Sequence, residues 1–285
     1  MPNIYFPYLG LSFTIDKVAF SLFGINVYWY GIILTTGIFL GAAMCSHMAK
    51  VEGINPDLVI DFLVIDIIFA IIGARIYYVA FKWDYYSQHL NEIINLRQGG
   101  IAIYGAIIAS VIVAIIYTKI KNINLWQFGD LSACGLLVGQ AVGRYGNFVN
   151  MEAYGDYTDS LFAMCIIKDQ AAHTLTPNIL ANIVLLDGTE YIQVHPTFFY
   201  ESTWNIILLI LLLIYYKYKK GHGEIFFLYI LGYGIGRFWI EGLRTDQLMI
   251  NGIAASQIVA VISVIIGIIG FILCYKSKSN SAPIS

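Results

Sequence analysis

Residues 139–155, GQAVGRYGNFVNMEAYG, begin as the end of an apolar run and then become polar. The polar part of this stretch carries Arg144, Asn147, Asn150 and Glu152 within a few residues. Such groups are costly at the edge of an apolar segment, so they mark a functional site more often than a packing position. Gly143 and Gly146 lie beside the arginine, where the missing Cβ lets another helix approach closely. The stretch therefore predicts a membrane helix that ends in a binding site.

The composition of the whole chain is that of an integral membrane protein. Of its 285 residues, 59% are hydrophobic and 12% are charged, with a mean hydropathy of +0.72. Soluble domains are about half apolar and a quarter charged. The net charge of −2 argues against a nucleic-acid-binding surface. The four cysteines lie far apart with no C-x-x-C pair, so we expect neither a disulfide framework nor a metal site. We expect no cleaved signal peptide at the N-terminus.

Seven apolar runs are long enough to cross a bilayer, which takes about 20 residues. They lie at 27–47, 58–81, 100–118, 125–143, 198–216, 224–241 and 253–275. We therefore predict an all-α polytopic membrane protein with seven transmembrane helices, which form a single membrane domain over residues 1–285. The mixed segment 145–197 contains an Asp187-Gly188 turn signal and the strand-like EYIQV before His195. It predicts a small lobe outside the membrane, between the fourth and fifth spans.

The lysines predict the orientation of the spans. Eight of them follow the first, third, fifth and seventh runs: Lys50, Lys119, Lys121, Lys217, Lys219, Lys220, Lys276 and Lys278. The positive-inside rule assigns this side to the cytoplasm. The N-terminus and the lobe are then outside and the C-terminus is inside. The arginines avoid the cytoplasmic side, which suggests that they are kept where a forked donor can hold an oxyanion.

Five polar stretches meet at the outer face in this topology, and their convergence predicts one site there. They are 28–31, 99–105, 143–155, 195–201 and 234–246. In the last stretch Arg237, Glu241 and Arg244 are spaced i, i+4, i+7, so they should share one helical face. Arg144 and Arg237, from different spans at the same depth, would clamp a phosphate or a carboxylate. Among the histidines, His195 is the one built into this convergence.

The same polar residues allow three other interpretations. An Arg-Glu-Arg ladder can be purely structural, fastening span ends together in a low dielectric. A transporter or channel would also bury ions, but its polar residues would line a path near the midplane of the membrane. A noncatalytic lipid-binding scaffold would use the same kind of anion site.

Five motifs taken together resemble the prolipoprotein diacylglyceryl transferases of bacteria. They are VYWYG, RQGGIAIYG, GQAVGRYGNFVNMEAYG, HPTFFYES and GIGRFWIEGLRTD, and they cover almost the whole chain in order. The G-R-x-G-N-F-x-N-x-E signature is specific to that family. The resemblance implies a multi-pass protein of the bacterial cytoplasmic membrane, with seven spans and an active site that faces the extracytoplasmic leaflet.

The resemblance also implies a reaction and a set of site residues. The diacylglyceryl group of phosphatidylglycerol would move to the lipobox cysteine thiol of a preprolipoprotein signal peptide, giving a thioether and glycerol 1-phosphate. This protein lipidation begins bacterial lipoprotein maturation and needs no cofactor; the partners are the two substrates and the surrounding membrane lipids. The implied catalytic residues are Arg144, Arg237, Tyr104, His195 and Glu241. The implied phosphatidylglycerol-binding residues are Arg144, Arg237, Arg244, Tyr30, Asn147, Asn150, Glu152 and Gly155.

The chain departs from the family pattern at Tyr104-Gly105-Ala106, where many members have a His-Gly-Gly motif. A tyrosine, with its pKa near 10, is a poor base unless a nearby arginine lowers that pKa. Either Tyr104 only hydrogen-bonds the lipid, or His195 or the environment of the substrate takes the thiol proton. Met151 stands where a glycine is usual, which we interpret as a packing change.

Overall fold

The computed structural model describes residues 1–96, 99–172 and 175–279. Arg97 and Gln98 of the RQGGIAIYG motif lie outside the described residues. The described chain is mostly helical, with nine α-helices: α1 Trp29–Val51, α2 Asp57–Phe81, α3 Trp83–Tyr86, α4 Ile103–Ile120, α5 Leu125–Asn150, α6 Pro177–Ala181, α7 Thr197–Tyr216, α8 Glu224–Glu241 and α9 Ala255–Ser279.

Each of the seven apolar runs overlaps one long helix of 18 residues or more. Four helices in the described part of the chain are long and apolar enough to cross a membrane: Trp29–Val51, Ile103–Ile120, Thr197–Tyr216 and Ala255–Lys276. The prediction of a helical membrane protein is therefore confirmed. The seven crossings and their orientation stay predictions.

The all-α class is wrong in one respect, because the described residues also contain nine short strands. They are β1 Ile4–Phe6, β2 Leu11–Phe13, β3 Val18–Leu22, β4 Ile25–Tyr28, β5 Met164–Ile167, β6 Val184–Leu186, β7 Thr189–Val194, β8 Met249–Ile250 and β9 Ile253–Ala254. Five of them form an antiparallel sheet in the order β2-β1-β5-β7-β6, and the others form two hairpins, β3-β4 and β8-β9. EYIQV lies within β7, as predicted, but the sheet also takes two strands from the N-terminus.

The contacts divide the chain into two compact units. The first contains residues 1–41 and 132–285, and the second contains residues 42–131. We call them the first and second unit.

In the first unit, the sheet contributes to a core against which Phe148, near the end of α5, packs. This core contains Ile4, Phe6, Met151, Tyr154, Met164, Ile166, Ile179, Ile192, Val194 and Phe198. Met151 is 2% exposed and has a φ of 55°, a conformation that favours glycine. The glycine usual at this position would suit the backbone better, whereas methionine contributes a buried side chain. The substitution is thus a packing change with a backbone cost.

Small residues let the helices of the first unit approach closely. A Cβ built on Gly41 of α1 would lie 2.7 Å from the carbonyl oxygen of Gly135 in α5. A Cβ on Gly267 of α9 would lie 2.7 Å from the backbone nitrogen of Leu231 in α8. Such contacts between small residues are typical of helix packing in membranes, where close backbone approach replaces hydrophobic driving force.

In the second unit, Arg75 of α2 organises the loop before α4. The side chain is 7% exposed, and its N–H groups donate to five main-chain carbonyls, those of Glu92, Ile93, Asn95, Gly99 and Gly100. These acceptors are neutral and use the whole fork of donors. The idea that all arginines are kept for an oxyanion is therefore wrong for Arg75, which binds the loop.

Candidate active site

Glu201 is the acceptor around which the candidate site is built. It lies on α7 and is 5% exposed. Arg144 Nη2, from α5, lies 2.7 Å from Glu201 Oε2. Arg237 Nη1, from α8, lies 3.3 Å from each oxygen of the same carboxylate. Arg244 Nη1 follows at 3.6 Å from Oε1. Three guanidinium groups from different parts of the chain therefore share one buried carboxylate.

Two further carboxylates orient the arginines of α8 and the turn after it. Arg237 Nη2 lies 2.6 Å from Glu241 Oε2, and Ser256 donates to the other oxygen of Glu241. Arg244 forms a forked pair with Asp246, with distances of 2.9 and 2.7 Å. Forked pairs fix the plane of a guanidinium group as well as its position.

The i, i+4, i+7 prediction holds only in part. Arg237 and Glu241 contact each other across one turn of α8, as the spacing requires. The helix ends at Glu241, however, so Arg244 does not lie on the same helical face. It reaches the site from the following turn, where its backbone pairs with that of Gly155.

The asparagine and glutamate of the G-R-x-G-N-F-x-N-x-E signature support Arg144 from one side. Arg144 Nη1 donates to Asn147 Oδ1 over 3.4 Å, and Asn147 Nδ2 donates to Glu152 Oε1 over 2.9 Å. A Cβ on Gly146 would lie 2.9 Å from Cδ2 of Tyr30, so the tyrosine ring of α1 packs on that glycine. The signature thus forms a short chain of hydrogen bonds beside Arg144, which we call the Asn147–Glu152 relay. It also provides a packing surface for the ring of Tyr30.

Backbone hydrogen bonds join three segments that carry the site, at Gly155–Asp156, His195 and Leu243. We call this set of hydrogen bonds the backbone clip. The N–H of Gly155 donates to the carbonyl of His195 over 3.0 Å, and the N–H of His195 donates to that of Asp156 over 3.0 Å. The N–H of Asp156 in turn donates to the carbonyl of Leu243 over 2.9 Å. A Cβ on Gly155 would lie 2.7 Å from that Leu243 oxygen and 2.8 Å from the Cβ of His195. Gly155 is therefore needed for the close approach of these segments.

His195 lies beside this clip, and its Nδ1 is 3.3 Å from the hydroxyl of Tyr200. Burial lowers the pKa of His195, and the charge of Asp156 opposes that shift only in part. The imidazole is therefore neutral at pH 7, and a neutral imidazole can accept a proton. Because the folded pKa is lowered, the contribution of His195 to stability is complete above about pH 6.5 and is lost as the pH falls through the folded pKa.

Asp156, whose backbone belongs to the same set of hydrogen bonds, is held in its ionised form by nearby donors. Burial raises the pKa of Asp156, but hydrogen bonds from the Thr176 hydroxyl, the Tyr157 N–H and Asn178 outweigh burial, and the net pKa is lowered. The Thr176 hydroxyl donates to Asp156 Oδ1 over 2.6 Å. The stability that Asp156 contributes is present above about pH 4 and is lost as the pH falls through the lowered pKa.

The arrangement is suited to bind an anion that competes with Glu201. The side chains of Arg144 and Arg237 are 21% and 20% exposed, whereas that of Glu201 is 5% exposed. Each arginine side chain is thus partly exposed, while its guanidinium group is held by carboxylates. Guanidinium forks match phosphate oxygens in the way they match carboxylate oxygens. A phosphodiester is therefore a suitable ligand for this cluster.

The predicted site residues fall into two groups. The first unit brings together Arg144, Arg237, Arg244, Glu241, Asn147, Glu152, Gly155 and His195 through the contacts described above, with Tyr30 on Gly146 and Asn150 as the last residue of α5. Tyr104 belongs to the second unit, in the first turn of α4, where it is 38% exposed.

Three residues of the cluster have no role that the sequence alone predicts. Glu201 and Asp246 lie within two of the five motifs, but nothing in the sequence shows which arginine each one faces. Asn205 gives no signal at all. It is 2% exposed, and its Nδ2 has no hydrogen-bond partner among the residues that the structure describes. Asn205 lines a small cavity together with Glu201 and Arg237.

The fold and the cluster define a class: a mostly helical membrane protein in which arginines from different helices share a buried carboxylate. A family model described as prolipoprotein diacylglyceryl transferase matches residues 17–273. The chain therefore belongs to the prolipoprotein diacylglyceryl transferase family.

Similar proteins carry the corresponding name. The phosphatidylglycerol–prolipoprotein diacylglyceryl transferase of Bacillus mycoides (strain KBAB4) is 42% identical over 268 residues, which cover 94% of this chain and 95% of that protein. The protein of the same name from Bacillus anthracis is also 42% identical over the same coverage. That of Bacillus cereus (strain G9842) is 41% identical over 268 residues, again with 94% and 95% coverage.

Proposed function

We propose that this protein transfers the diacylglyceryl group of phosphatidylglycerol to the lipobox cysteine of a preprolipoprotein. The observation that carries the proposal is the meeting of Arg144 and Arg237 on one carboxylate, at 2.7 and 3.3 Å. Two forked cations at one point form a receptor for a phosphate, and the names of the similar proteins include the phospholipid phosphatidylglycerol.

In the reaction, the cysteine sulfur attacks the glycerol carbon of the diacylglyceryl group that bears the phosphate. A carbon–sulfur bond forms, the carbon–oxygen bond to the phosphate breaks, and glycerol 1-phosphate leaves. The leaving oxygen gains negative charge, which Arg144 and Arg237 neutralise as it develops. The thiol must lose its proton, because the thiolate is the nucleophile.

The remaining residues position the lipid and the two arginines. Glu201 holds both guanidinium groups and yields part of their forks to the phosphate when the lipid enters. Glu241 orients Arg237, and the Asn147–Glu152 relay orients Arg144. The unpartnered amide of Asn205 is available to a headgroup hydroxyl, since a buried polar group gains from any hydrogen bond that a ligand supplies.

The remaining part of the proposal concerns the membrane. We propose seven crossings with the N-terminus outside and the C-terminus inside, in the bacterial cytoplasmic membrane, with the site toward the extracytoplasmic leaflet. The lysine distribution supports this orientation. The seven long helices of the described chain support the number of crossings.

The proposal is tested with purified protein in vesicles that contain phosphatidylglycerol and a labelled lipobox peptide. We expect diacylglyceryl peptide and glycerol 1-phosphate in equal amounts. A peptide with serine in place of the lipobox cysteine is the control and should yield neither product. Lipid binding without any transfer to the cysteine peptide would identify a binding scaffold in place of an enzyme.

Tyr104→Phe should retain measurable transfer activity, because the phenol is a poor base and His195 is neutral at working pH. We expect a loss smaller than the ~10²-fold that removal of a general base typically causes. With His195 as the base, kcat of this variant should fall as the pH decreases through the lowered pKa of His195, and His195→Asn should remove that fall. Complete loss of activity in Tyr104→Phe at every pH would show that the hydroxyl is essential.

A further inference from the structure

The hairpin β3-β4 presents an exposed apolar face and pairs with no other strand among the described residues. Its register pairs Leu22 with Ile25 and Ser21 with Asn26, and these pairs lie on opposite faces because side chains alternate along a strand. Ser21 donates to Asn26 over 2.6 Å on the polar face. On the other face Leu22 is 55% exposed and Ile25 is 71% exposed. The hairpin is therefore amphipathic, and its apolar side is open.

The turn of this hairpin has an unfavourable sequence if it is surrounded only by water. Phe23 and Gly24 have φ values of 51° and 78°, the positive pair of a type I′ turn, which favours Asn-Gly. A phenylalanine with positive φ is uncommon and carries a backbone cost. Phe23 is also 97% exposed. Burial of the ring against something outside the folded chain would remove the cost of exposing it and offset the backbone cost.

The same chain contains a second hairpin with the favoured turn. In β8-β9 the turn is Asn251-Gly252, with φ values of 49° and 82°. Met249 and Ile253 of this hairpin are 53% and 54% exposed. Each hairpin ends at the residue before a candidate membrane span: β4 before α1, and β9 before α9. With the proposed seven crossings, both hairpins lie on the same side of the membrane.

The charge pattern favours a lipid surface as the partner of β3-β4. No Asp, Glu, Lys or Arg occurs from residue 18 to residue 49, so the uncharged segment begins at the base of the hairpin and continues through α1. A two-stranded hairpin has unpaired backbone edges, which exclude it from the hydrocarbon core. Amphipathic segments with these properties lie in the interface, with the apolar face toward the acyl chains.

We propose that the β3-β4 hairpin is an interfacial anchor whose apolar face, formed by Leu22, Phe23 and Ile25, inserts into the lipid on the side where α1 begins. The hairpin fixes the depth at which α1 enters the membrane. Tyr30, which packs on Gly146 beside Arg144, lies directly after this entry point. The proposal goes beyond the transfer reaction and needs no catalytic turnover.

The test places a fluorinated phenylalanine, 4-trifluoromethylphenylalanine, at position 23 of the full chain in vesicles of phosphatidylglycerol and phosphatidylethanolamine. Fluorine resonances are broadened by dissolved oxygen in lipid and by a nickel chelate in water. We expect broadening by oxygen at position 23, at a depth of roughly 5–10 Å below the headgroup boundary. The matched control is the same probe at Leu185, 67% exposed in the β6-β7 hairpin opposite Glu190, which should respond to nickel.

A second variant separates anchoring from folding. Phe23→Asn gives the hairpin the turn chemistry of Asn251-Gly252, so the hairpin should form at least as well. A probe at Ile25 in this variant should shift from oxygen broadening toward nickel broadening. Nickel broadening at position 23 equal to that at position 185 would overturn the proposal. Oxygen broadening at position 23 that appears only after the lipobox peptide is added would also overturn the proposal. The hairpin would then respond to the peptide and not to the lipid alone.

Discussion

Replacing Arg144 by alanine should reduce transfer to background while the protein stays inserted and folded. Removal of a single donor to a developing oxyanion costs about 10²–10³ in kcat, and Arg144 supplies a charge as well as its donors. We therefore expect a loss of at least ~10³-fold, measured as diacylglyceryl peptide formed per minute in phosphatidylglycerol vesicles. Glu201 keeps Arg237 and Arg244 as partners in this variant, so the carboxylate is not left alone.

Two controls distinguish the loss of a phosphate ligand from a loss of structure. Arg144→Lys keeps the charge but loses the fork that contacts Glu201 and Asn147, so intermediate activity is expected. Lys168→Ala removes a cation from the exposed Lys168–Glu190 pair, which joins the turn after β5 to β7, and should leave transfer unchanged. Thermal unfolding in detergent should be similar for Arg144→Ala and for the parent protein. Near-normal turnover of Arg144→Ala would exclude the proposed phosphate role.

The long helices could be predicted from the sequence because each is encoded locally. An apolar run of about 20 residues specifies a membrane helix without reference to any other part of the chain. The sheet could not be predicted in the same way. β1 and β5 are strands of three and four residues whose pairing joins Ile4 to Ile166. Such short strands carry a weak pattern, and their partners are distant in the sequence.

The candidate site shows the same division. The signature around Arg144 and the spacing of Arg237 and Glu241 indicate side chains that the structure brings together, because the motifs are local. Glu201 is visible as an acid within an apolar run, but its role depends on how α5, α7 and α8 are packed. Arg75 illustrates the opposite case, since its residue type suggests an anion whereas its actual partners are carbonyls. Residue type gives the chemistry that is possible, and packing selects the partner.

Glu201→Gln should separate substrate binding from catalysis. The glutamine has the shape of the glutamate but lacks the charge that Arg144, Arg237 and Arg244 share. Removing one partner from a buried ion pair costs about 3–5 kcal/mol, so a lower unfolding temperature is expected. Without the fixed acceptor both guanidinium groups lose their orientation, and kcat should fall by ~10²-fold. The freed forks, however, should bind the lipid phosphate more tightly, so KM for phosphatidylglycerol should fall as well.

A purely structural role for Glu201 would not lower kcat and KM together. Glu241→Gln is the comparison, since this carboxylate contacts Arg237 but no other arginine at salt-bridge distance among the described residues. It should lower kcat less and leave KM nearly unchanged. Glu190→Gln, in the exposed pair with Lys168, should change neither constant. Glycerol 1-phosphate should also raise the unfolding temperature of Glu201→Gln more than that of the parent protein, because a ligand stabilises the state it binds. An increased KM in Glu201→Gln would mean that the carboxylate helps to bind the lipid. The hypothesis that Glu201 competes with the phosphate for the arginines would then be wrong.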